Sequence, residues 1–206
     1  MKIVCISDTH EQHHKLGKLP DGDVLIHAGD LTGAGKYPAL MAAADWLRSQ
    51  PHEYKIVIAG NHDWDLERNP EGAKDIFFDL IYLNQTAHMV KGLKVYGTPW
   101  SPSFNDWAFN ATAVQATHHA EAIPGDTNIL VTHGPPHGIG DRCEDGRRVG
   151  CPRLMERILE IKPKLVVTGH IHEDYGIFGI QGITVVNASV LNAGYKLKNK
   201  PVVINI

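Results

Sequence analysis

The chain has 206 residues and a formal net charge of −3 at pH 7, with a pI of about 6.5, which argues against a general binder of nucleic acids or membrane surfaces. Its length suits one domain with a substantial core, and no stretch approaches the length that spans a membrane. Three cysteines, an odd number without Cys-x-x-Cys spacing, argue against a disulfide framework, so the cytoplasm is the expected location.

Five short apolar runs, taken in chain order, each end in Asp, Asn or His. A run that breaks into polar side chains is typical of a buried strand that carries functional groups at its carboxyl end. If the strands are parallel, their polar tips converge in one place. The runs and their polar residues are residues 3–6 with Asp8 and His10, residues 24–26 with Asp30, residues 56–59 with Asn61, His62 and Asp63, residues 129–131 with His133, and residues 165–167 with His170 and His172.

Helical and strand patterns fill the chain between these runs. Residues 38–50 have Pro near the first turn and apolar residues at helical spacing, which predicts a crossover helix whose Leu40, Ala43, Ala44 and Leu47 face a sheet. A change of period after residue 80 suggests a second sheet stacked on the first. The other predicted elements are helices over residues 71–80, 111–122 and 152–161, a β-meander over residues 81–97, and strands over residues 177–180, 183–186 and 202–206.

The polar residues at the strand ends have the chemistry of metal ligands. Imidazole, carboxylate and amide oxygen together suit divalent ions such as Mn, Fe or Zn. Two carboxylates, four imidazoles and an amide are more ligands than one tetrahedral zinc ion binds. They suit two ions bridged by one Asp, an arrangement used for phosphoester displacement. The convergent set is Asp8, His10, Asp30, Asn61, His133, His170 and His172, together with His62 as a fifth imidazole.

Five ordered motifs within this set resemble the signature of the calcineurin-like metallophosphoesterase superfamily. They are Asp8-x-His10, Gly29-Asp30, Gly60-Asn61-His62-Asp63, His133 and Gly169-His170-Ile171-His172. Residues 132–141, together with the compact length, are most similar to the small metallophosphoesterase-domain-containing subfamily. Some members of that subfamily are regarded as class III cyclic-nucleotide phosphodiesterases.

The resemblance implies a fold and a role for each motif residue. The implied fold is α/β, a four-layer α/β/β/α sandwich of two stacked mixed β-sheets flanked by helices, with residues 1–206 forming a single metallophosphoesterase domain. Carried over by position, it implies that the first metal is held by Asp8, His10 and His172, the second by Asn61, His133 and His170, and both by the bridging Asp30. His62 is then the catalytic proton donor beside the scissile bond, and Asp63 either orients His62 or lies behind the metal ligands.

The expected function is that of a binuclear metal-dependent phosphodiesterase acting on small phosphodiesters such as cyclic nucleotides. A hydroxide that bridges the two ions, manganese among the candidates, is the expected nucleophile. Phosphoprotein phosphatases extend the Gly-Asp motif as Gly-Asp-x-x-Asp-Arg-Gly, and their second Asp supports the catalytic His. Residues 29–35 lack both that Asp and the Arg, which argues against protein dephosphorylation.

Several alternatives stay open at this point. A nuclease for DNA or RNA is disfavoured because the sequence has no basic stripe, and a scaffold that has lost catalysis is disfavoured because no ligand is missing. The partner expected is a small-molecule phosphoester, with a homodimer as a further option. Two sets of residues have both a substrate-binding and a purely structural interpretation, namely the aromatic residues Trp100, Phe104, Trp107 and Phe109 and the loop arginines Arg142, Arg147 and Arg148.

Overall fold

The computed structural model describes residues 1–206 and contains five α-helices, two 3₁₀ helices and thirteen strands. The helices are α1 (Tyr37–Arg48), α2 (Trp64–Arg68), α3 (Pro70–Ile76), α4 (Ala113–Glu121) and α5 (Pro152–Ile161), and the 3₁₀ helices cover His13–Leu16 and His172–Asp174. The strands are β1 (Lys2–Ile6), β2 (Val24–Ala28), β3 (Tyr54–Ile58), β4 (Ile81–Tyr82), β5 (Thr86–Val90), β6 (Leu93–Thr98), β7 (Ser101–Pro102), β8 (Asn110–Ala111), β9 (Ile129–Thr132), β10 (Leu165–Thr168), β11 (Gly176–Ile180), β12 (Ile183–Asn187) and β13 (Val202–Asn205). No helix is both long and apolar enough to cross a bilayer.

Two mixed sheets organise the chain. The first sheet has five strands in the order β13-β1-β2-β3-β4, and β13 is its one antiparallel member. The second has six strands in the order β11-β12-β10-β9-β6-β5, with the two outer strands antiparallel to a parallel centre. A short parallel pair, β7 with β8, stands apart from both sheets.

Apolar layers explain why the two sheets stack. Side chains from both sheets, among them Ile26 and Val167, form one buried cluster between them. The outer face of the first sheet packs on α1, whose predicted inner face of Leu40, Ala43, Ala44 and Leu47 is buried. The outer face of the second sheet packs on α5 through residues such as Ile158. The predicted four-layer α/β/β/α sandwich is therefore confirmed.

Two predictions about strand placement need correction. Residues 81–97 do not form one meander, because β4 pairs parallel with β3 in the first sheet and only the β5–β6 hairpin joins the second. Helix α3 returns the chain beside β3, so β4 completes a βαβ crossover. The five strands that carry predicted ligands also do not lie side by side in one sheet. Three of them, β1, β2 and β3, belong to the first sheet and two, β9 and β10, to the second.

Candidate metal centre

The loops after β1 and β2 carry three of the predicted ligands, and backbone hydrogen bonds of the strand pair continue into them. Asp8 N donates to the Gly29 carbonyl at 2.9 Å, and His10 N donates to the Asp30 carbonyl at 3.1 Å. Asp8, His10 and Asp30 have left-handed φ angles of 55°, 39° and 54°. Such conformations cost of order 1–3 kcal/mol each and persist where the surroundings fix them, which is common at functional sites.

The first ligand cluster consists of Asp8, His10 and His172, whose ligand atoms lie within 4.8 Å of one another. His10 Nδ1 donates to the Thr32 carbonyl and His172 Nδ1 to the Asn192 carbonyl, both at 3.1 Å. These bonds leave the Nε2 lone pair of each ring for the centre. His172 Nε2 lies 3.3 Å from Asp8 Oδ1, and His10 Nε2 is buried without a hydrogen-bond partner. A buried imidazole nitrogen without a hydrogen-bond partner, such as His10 Nε2, is in the state expected of a metal ligand.

The second cluster contains Asp30, His133 and His170, again within 4.8 Å. His133 Nδ1 donates to the Ala28 carbonyl at 2.9 Å, so its Nε2 carries a lone pair in the neutral ring. That nitrogen lies 2.8 Å from Asn61 Oδ1 and 3.4 Å from Asp30 Oδ1. Three acceptors converging in this way need a proton or a cation between them, and their donor types suit a divalent first-row metal.

Asp30 joins the two clusters. Its Oδ2 lies 3.5 Å from His10 Nε2 in the first cluster, and its Oδ1 lies 3.4 Å from His133 Nε2 in the second. The His62 backbone N–H donates to Oδ1 at 2.8 Å and fixes the carboxylate plane. One oxygen of Asp30 thus faces each cluster, and the donor types of both clusters suit divalent ions.

Charge interactions keep both carboxylates of the centre ionised. Burial would raise the pKa values of Asp8 and Asp30, but the neighbouring imidazoles outweigh it and hold both pKa values below their usual range. Burial would lower the pKa of His133, and the Asp30 carboxylate reverses this and raises that pKa to about 9. For His170, burial and the charge of His133 lower the pKa to about 4. A proton on His133 can thus take the place that a metal cation would have beside Asp30.

Glycines let the ligand loops approach one another closely. A Cβ on Gly60 would collide with the backbone N and side chain of Asp30, and a Cβ on Gly169 would collide with Ser7 Oγ and the Asp8 carboxylate. The absence of a side chain at Gly169 also lets His170 N donate to Asp8 at 3.0 and 3.1 Å. These contacts explain why Gly stands next to predicted ligands in the motifs.

His62 borders the centre at the wall of the cleft. Its ligand atom lies within 4.8 Å of those of His10 and Asp30. Nδ1 donates to the Gly33 carbonyl at 2.8 Å, which leaves Nε2 as the atom available to a substrate. The ring of Trp107 lies over His62 with centroids 4.2 Å apart and planes at 30°.

Asp63, predicted either to orient His62 or to lie behind the metal ligands, makes no side-chain contact with His62. Its Oδ2 accepts from Gly60 N at 2.9 Å and Leu31 N at 3.2 Å, and its Oδ1 accepts from Thr32 N at 3.1 Å and Thr32 Oγ1 at 2.9 Å. Burial and the negative charge of Asp30 raise the pKa of Asp63 to about 7. Asp63 therefore ties the loop after β2 to the loop after β3, and it reaches His62 only through that loop. A catalytic role for Asp63 stays a prediction.

The centre lies in a cleft of about 670 Å³. Two of the four aromatic residues with two interpretations have a structural role. The ring of Trp100 stacks on His119 with centroids 4.3 Å apart and planes at 9°, and the side chain of Phe109 is only 2% exposed. Phe104 and Trp107 line the cleft. The predicted site residues that also line it are Asp30, Asn61, His62, His170 and His172.

The three loop arginines, like the aromatic residues, differ in whether they line the cleft. Arg147 lines the cleft, where its guanidinium pairs with Asp145 at 2.6 Å. Arg148 instead donates to Asp141 Oδ1 and to the Gly138 carbonyl, both at 2.7 Å, and holds the loop together. Of the three, only Arg147 lines the cleft, so it alone keeps the substrate-binding interpretation.

Two residues at the centre were not indicated by the sequence motifs. Ser189 Oγ donates to Asp8 Oδ2 at 2.7 Å. It follows β12, which is parallel to β10, so the rule of polar residues after a strand could have found it. The Tyr195 ring lies 5.0 Å from the rings of both His10 and His172. Tyr195 belongs to an irregular turn, and neither strand position nor periodicity indicates it.

Comparison with known proteins agrees with this geometry. The model of the calcineurin-like phosphoesterase family matches residues 1–174. Metallophosphoesterase domain-containing protein 1 of Homo sapiens is 38% identical over 231 residues, which cover 100% of this chain and 71% of that protein. A UPF0046 protein of Caenorhabditis elegans is 36% identical over 220 residues, which cover 100% of this chain and 75% of that protein.

Solved structures show the same fold at low sequence identity. TT1561 of Thermus thermophilus is similar with a TM-score of 0.64 and 16% identity, covering 90% of this chain and 88% of that chain. GAP50, the anchor in the inner membrane complex of Plasmodium, is similar with a TM-score of 0.56 and 12% identity, covering 98% of this chain and 76% of that chain. Since the family model covers most of the chain and curated relatives align with all of it, this protein belongs to the calcineurin-like phosphoesterases.

Proposed function

We propose that the protein is a binuclear metal-dependent phosphodiesterase that hydrolyses small phosphodiesters such as cyclic nucleotides. The observation that carries the proposal is Asp30, which directs one oxygen to each of two ligand clusters beside His62. Divalent ions such as Mn, Fe or Zn, when bound there, supply positive charge for phosphoryl oxygens and a water of lowered pKa. Membership of a phosphoesterase family supports the reaction class.

The residues of the chain itself supply the proton for the leaving group. As water oxygen forms its bond to phosphorus, the phosphorus bond to the leaving alcohol breaks and the electron pair moves to the alcohol oxygen. Protonated His62 keeps its Nδ1 proton on the Gly33 carbonyl and delivers its Nε2 proton to that oxygen. A linear diester gives a phosphate monoester and an alcohol, and a cyclic diester opens to one monoester that carries the free hydroxyl. One proton of the attacking water passes to solvent, and neutral His62 is protonated again from solvent.

The charge of the cleft supports a small substrate rather than a polynucleotide. Glu144, Asp145 and Glu173 line it, and its cation Arg147 is already paired with Asp145. A nucleic-acid groove needs a track of positive charge for successive phosphates. A volume of about 670 Å³ suits a single small ligand.

A substrate panel with metal-loaded protein tests the proposal. Protein freed of metal and reloaded with Mn, Fe or Zn should hydrolyse bis(p-nitrophenyl) phosphate and, among natural esters, cyclic nucleotides. On cyclic nucleotides, whose leaving alkoxide needs a proton, His62→Ala should lower kcat by about 100-fold or more, while the loss on bis(p-nitrophenyl) phosphate should be much smaller and bound metal, measured by elemental analysis, should stay as in the wild type. His118→Ala, which changes an exposed histidine of α4, is the matched control with wild-type turnover. Metal-replete protein that is inert toward diesters and monoesters would refute the proposal.

Compartment, assembly and domain organisation complete the proposal. Cys5, Cys143 and Cys151 are all unpaired, which supports a reducing compartment such as the cytoplasm. We further propose a single domain over residues 1–206, with a homodimer as the alternative to a monomer. Sedimentation of the metal-loaded protein gives the mass in solution and decides between monomer and dimer.

A further inference from the structure

The imidazole of His62 is held on three sides, by a backbone carbonyl, by the ring of a predicted ligand and by an indole. The Gly33 carbonyl accepts from Nδ1 at 2.8 Å, and the ring of His10 meets His62 edge-on with centroids 4.6 Å apart. The remaining contact is the indole of Trp107, which lies over His62 with ring centroids 4.2 Å apart and the two planes tilted by 30°. Trp107 is half-buried, as a residue that lines the cleft and packs on a neighbour should be.

Two hydrogen bonds fix the segment that carries Trp107. Ala108 N donates to the Asn61 carbonyl at 3.1 Å, and Phe109 N donates to Glu67 Oε1 at 2.7 Å. Asn61 directly precedes His62, and Glu67 belongs to α2, which begins two residues after His62. The indole is therefore tied to the same stretch of chain that carries the imidazole, so their relative position is defined by the fold.

We propose that Trp107 is a positioning residue that holds the plane of His62 so that Nε2 points at the leaving-group oxygen. This inference rests on the proposed function. The bond to Gly33 fixes one ring atom, and the ring of His10 bounds the imidazole on one side. The indole of Trp107 covers a face of the imidazole and so limits its remaining rotation about the bond to Gly33. Gly33 has no side chain that could make a second contact with the imidazole, so that contact comes from the indole of Trp107.

The chemistry of the leaving group makes this role measurable. When the bond from phosphorus to the leaving oxygen breaks, the electron pair stays on that oxygen. A p-nitrophenolate ion is stable without a proton, whereas a phenolate needs the Nε2 proton of His62 to leave at a comparable rate. Misplacement of a catalytic group by about 1 Å can cost about 100-fold in rate. Loss of the indole should therefore slow the phenyl ester far more than the p-nitrophenyl ester.

The kinetic experiment compares methyl phenyl phosphate with methyl p-nitrophenyl phosphate. Trp107→Leu should lower kcat about 10- to 100-fold on the phenyl ester and less than about threefold on the p-nitrophenyl ester. Trp107→Phe, which keeps a flat ring, should recover most of the loss. In a His62→Ala background, Trp107→Leu should cause no further loss on either ester.

Phe104→Leu is the matched control. Phe104 lies on the same loop and lines the same cleft, its side chain is exposed, and its ring makes no aromatic contact with His62. The variant should keep the wild-type ratio of the two esters, whatever it does to KM. A general loss of apolar cleft surface would change Phe104→Leu and Trp107→Leu alike.

Proton NMR of the metal-free protein gives a readout that needs no turnover. The ring-proton signals of His62, identified by their disappearance in His62→Ala, should be shifted upfield by the indole ring current. They should move downfield in Trp107→Leu and stay in place in Phe104→Leu. Unchanged signals in Trp107→Leu would overturn the inference, because the two rings would then not be in contact.

The kinetic outcomes separate this inference from the proposed function. Active wild-type protein with an unchanged ester ratio in Trp107→Leu refutes the positioning role alone, and an equal loss on both esters makes Trp107 part of the substrate-binding wall instead. Wild-type protein that is inert toward both esters refutes the proposed function and this inference with it.

Discussion

The Asp63 carboxylate carries the clearest quantitative prediction, because it accepts hydrogen bonds from four donors on three residues. Asp63→Asn keeps the shape of the side chain but replaces one oxygen by an NH₂ group. If the remaining oxygen faces Gly60 and Leu31, then the backbone N–H and hydroxyl of Thr32 lose their acceptor. Asp63 is 0% exposed, so water does not replace that acceptor. Two buried donors left unpaired cost about 1–3 kcal/mol each, or about 2–6 kcal/mol together, and part of this loss is offset because the substitution also removes the buried negative charge of a carboxyl whose pKa burial and Asp30 raise.

Urea unfolding of the metal-free protein measures this loss. The midpoint should fall while the m-value stays at the wild-type value, because the surface exposed on unfolding does not change. Asp65→Asn is the matched control, since Asp65 is close in sequence but partly exposed and accepts a single bond from Tyr37 N at 3.0 Å. That change should cost less than about 1 kcal/mol. An Asp63→Asn variant as stable as the wild type would refute the prediction that the loss of these hydrogen bonds outweighs the removal of the buried charge.

Three further changes test other parts of the centre. The pKa of His133 is raised to about 9 in the folded protein from about 6.5 unfolded, so the folded state holds more protons in this window. The metal-free protein should therefore lose up to about 3 kcal/mol of unfolding free energy between pH 6.5 and 9, and urea titrations of His133→Gln should lack that decline. Gly169→Ala forces a methyl group into Ser7 and Asp8, so calorimetry should show weaker metal binding and a lower Tm, whereas Gly179→Ala, with nothing near its Cβ, should change neither. Arg147→Ala should raise KM for anionic diesters several-fold with little change in kcat, and an unchanged KM would return Arg147 to a purely structural role.

The sequence predicted those features whose physical cause is local. Apolar β-branched runs ending in polar residues are set by neighbouring positions, so all five strands carrying predicted ligands were found, and the helix over Pro152–Ile161 was found at its observed bounds. The predicted helix facing the first sheet through Leu40 and Leu47 was also found, because helical spacing of apolar residues is a local pattern. The seven predicted ligands lie together in the structure, and their role in binding metal stays a prediction.

Sequence patterns did not predict the features that depend on contacts between distant segments of the chain. The pairing of β4 with β3 depends on the direction in which α3 returns, and the composition of residues 81–97 does not record it. The same holds for Tyr195, which reaches His10 and His172 from an irregular turn. The stacking of Trp107 on His62 joins positions 45 apart in number and depends on how two loops meet. Pattern reasoning can propose which residues have suitable chemistry, and tertiary contacts decide which of them meet.

One regularity of the centre could not have been found in any sequence motif. Each of four imidazoles donates its Nδ1 proton to a backbone carbonyl, which directs Nε2 inward. Many metal sites use a carboxylate for this purpose, but a carbonyl orients the ring without adding negative charge. The charge of the centre is then set by Asp8 and Asp30 alone, so two divalent ions would leave it net positive and attractive to an anionic phosphodiester. Every residue has a carbonyl, so the sequence does not mark which ones are used. The four pairs of imidazole and carbonyl are His10 with Thr32, His62 with Gly33, His133 with Ala28, and His172 with Asn192.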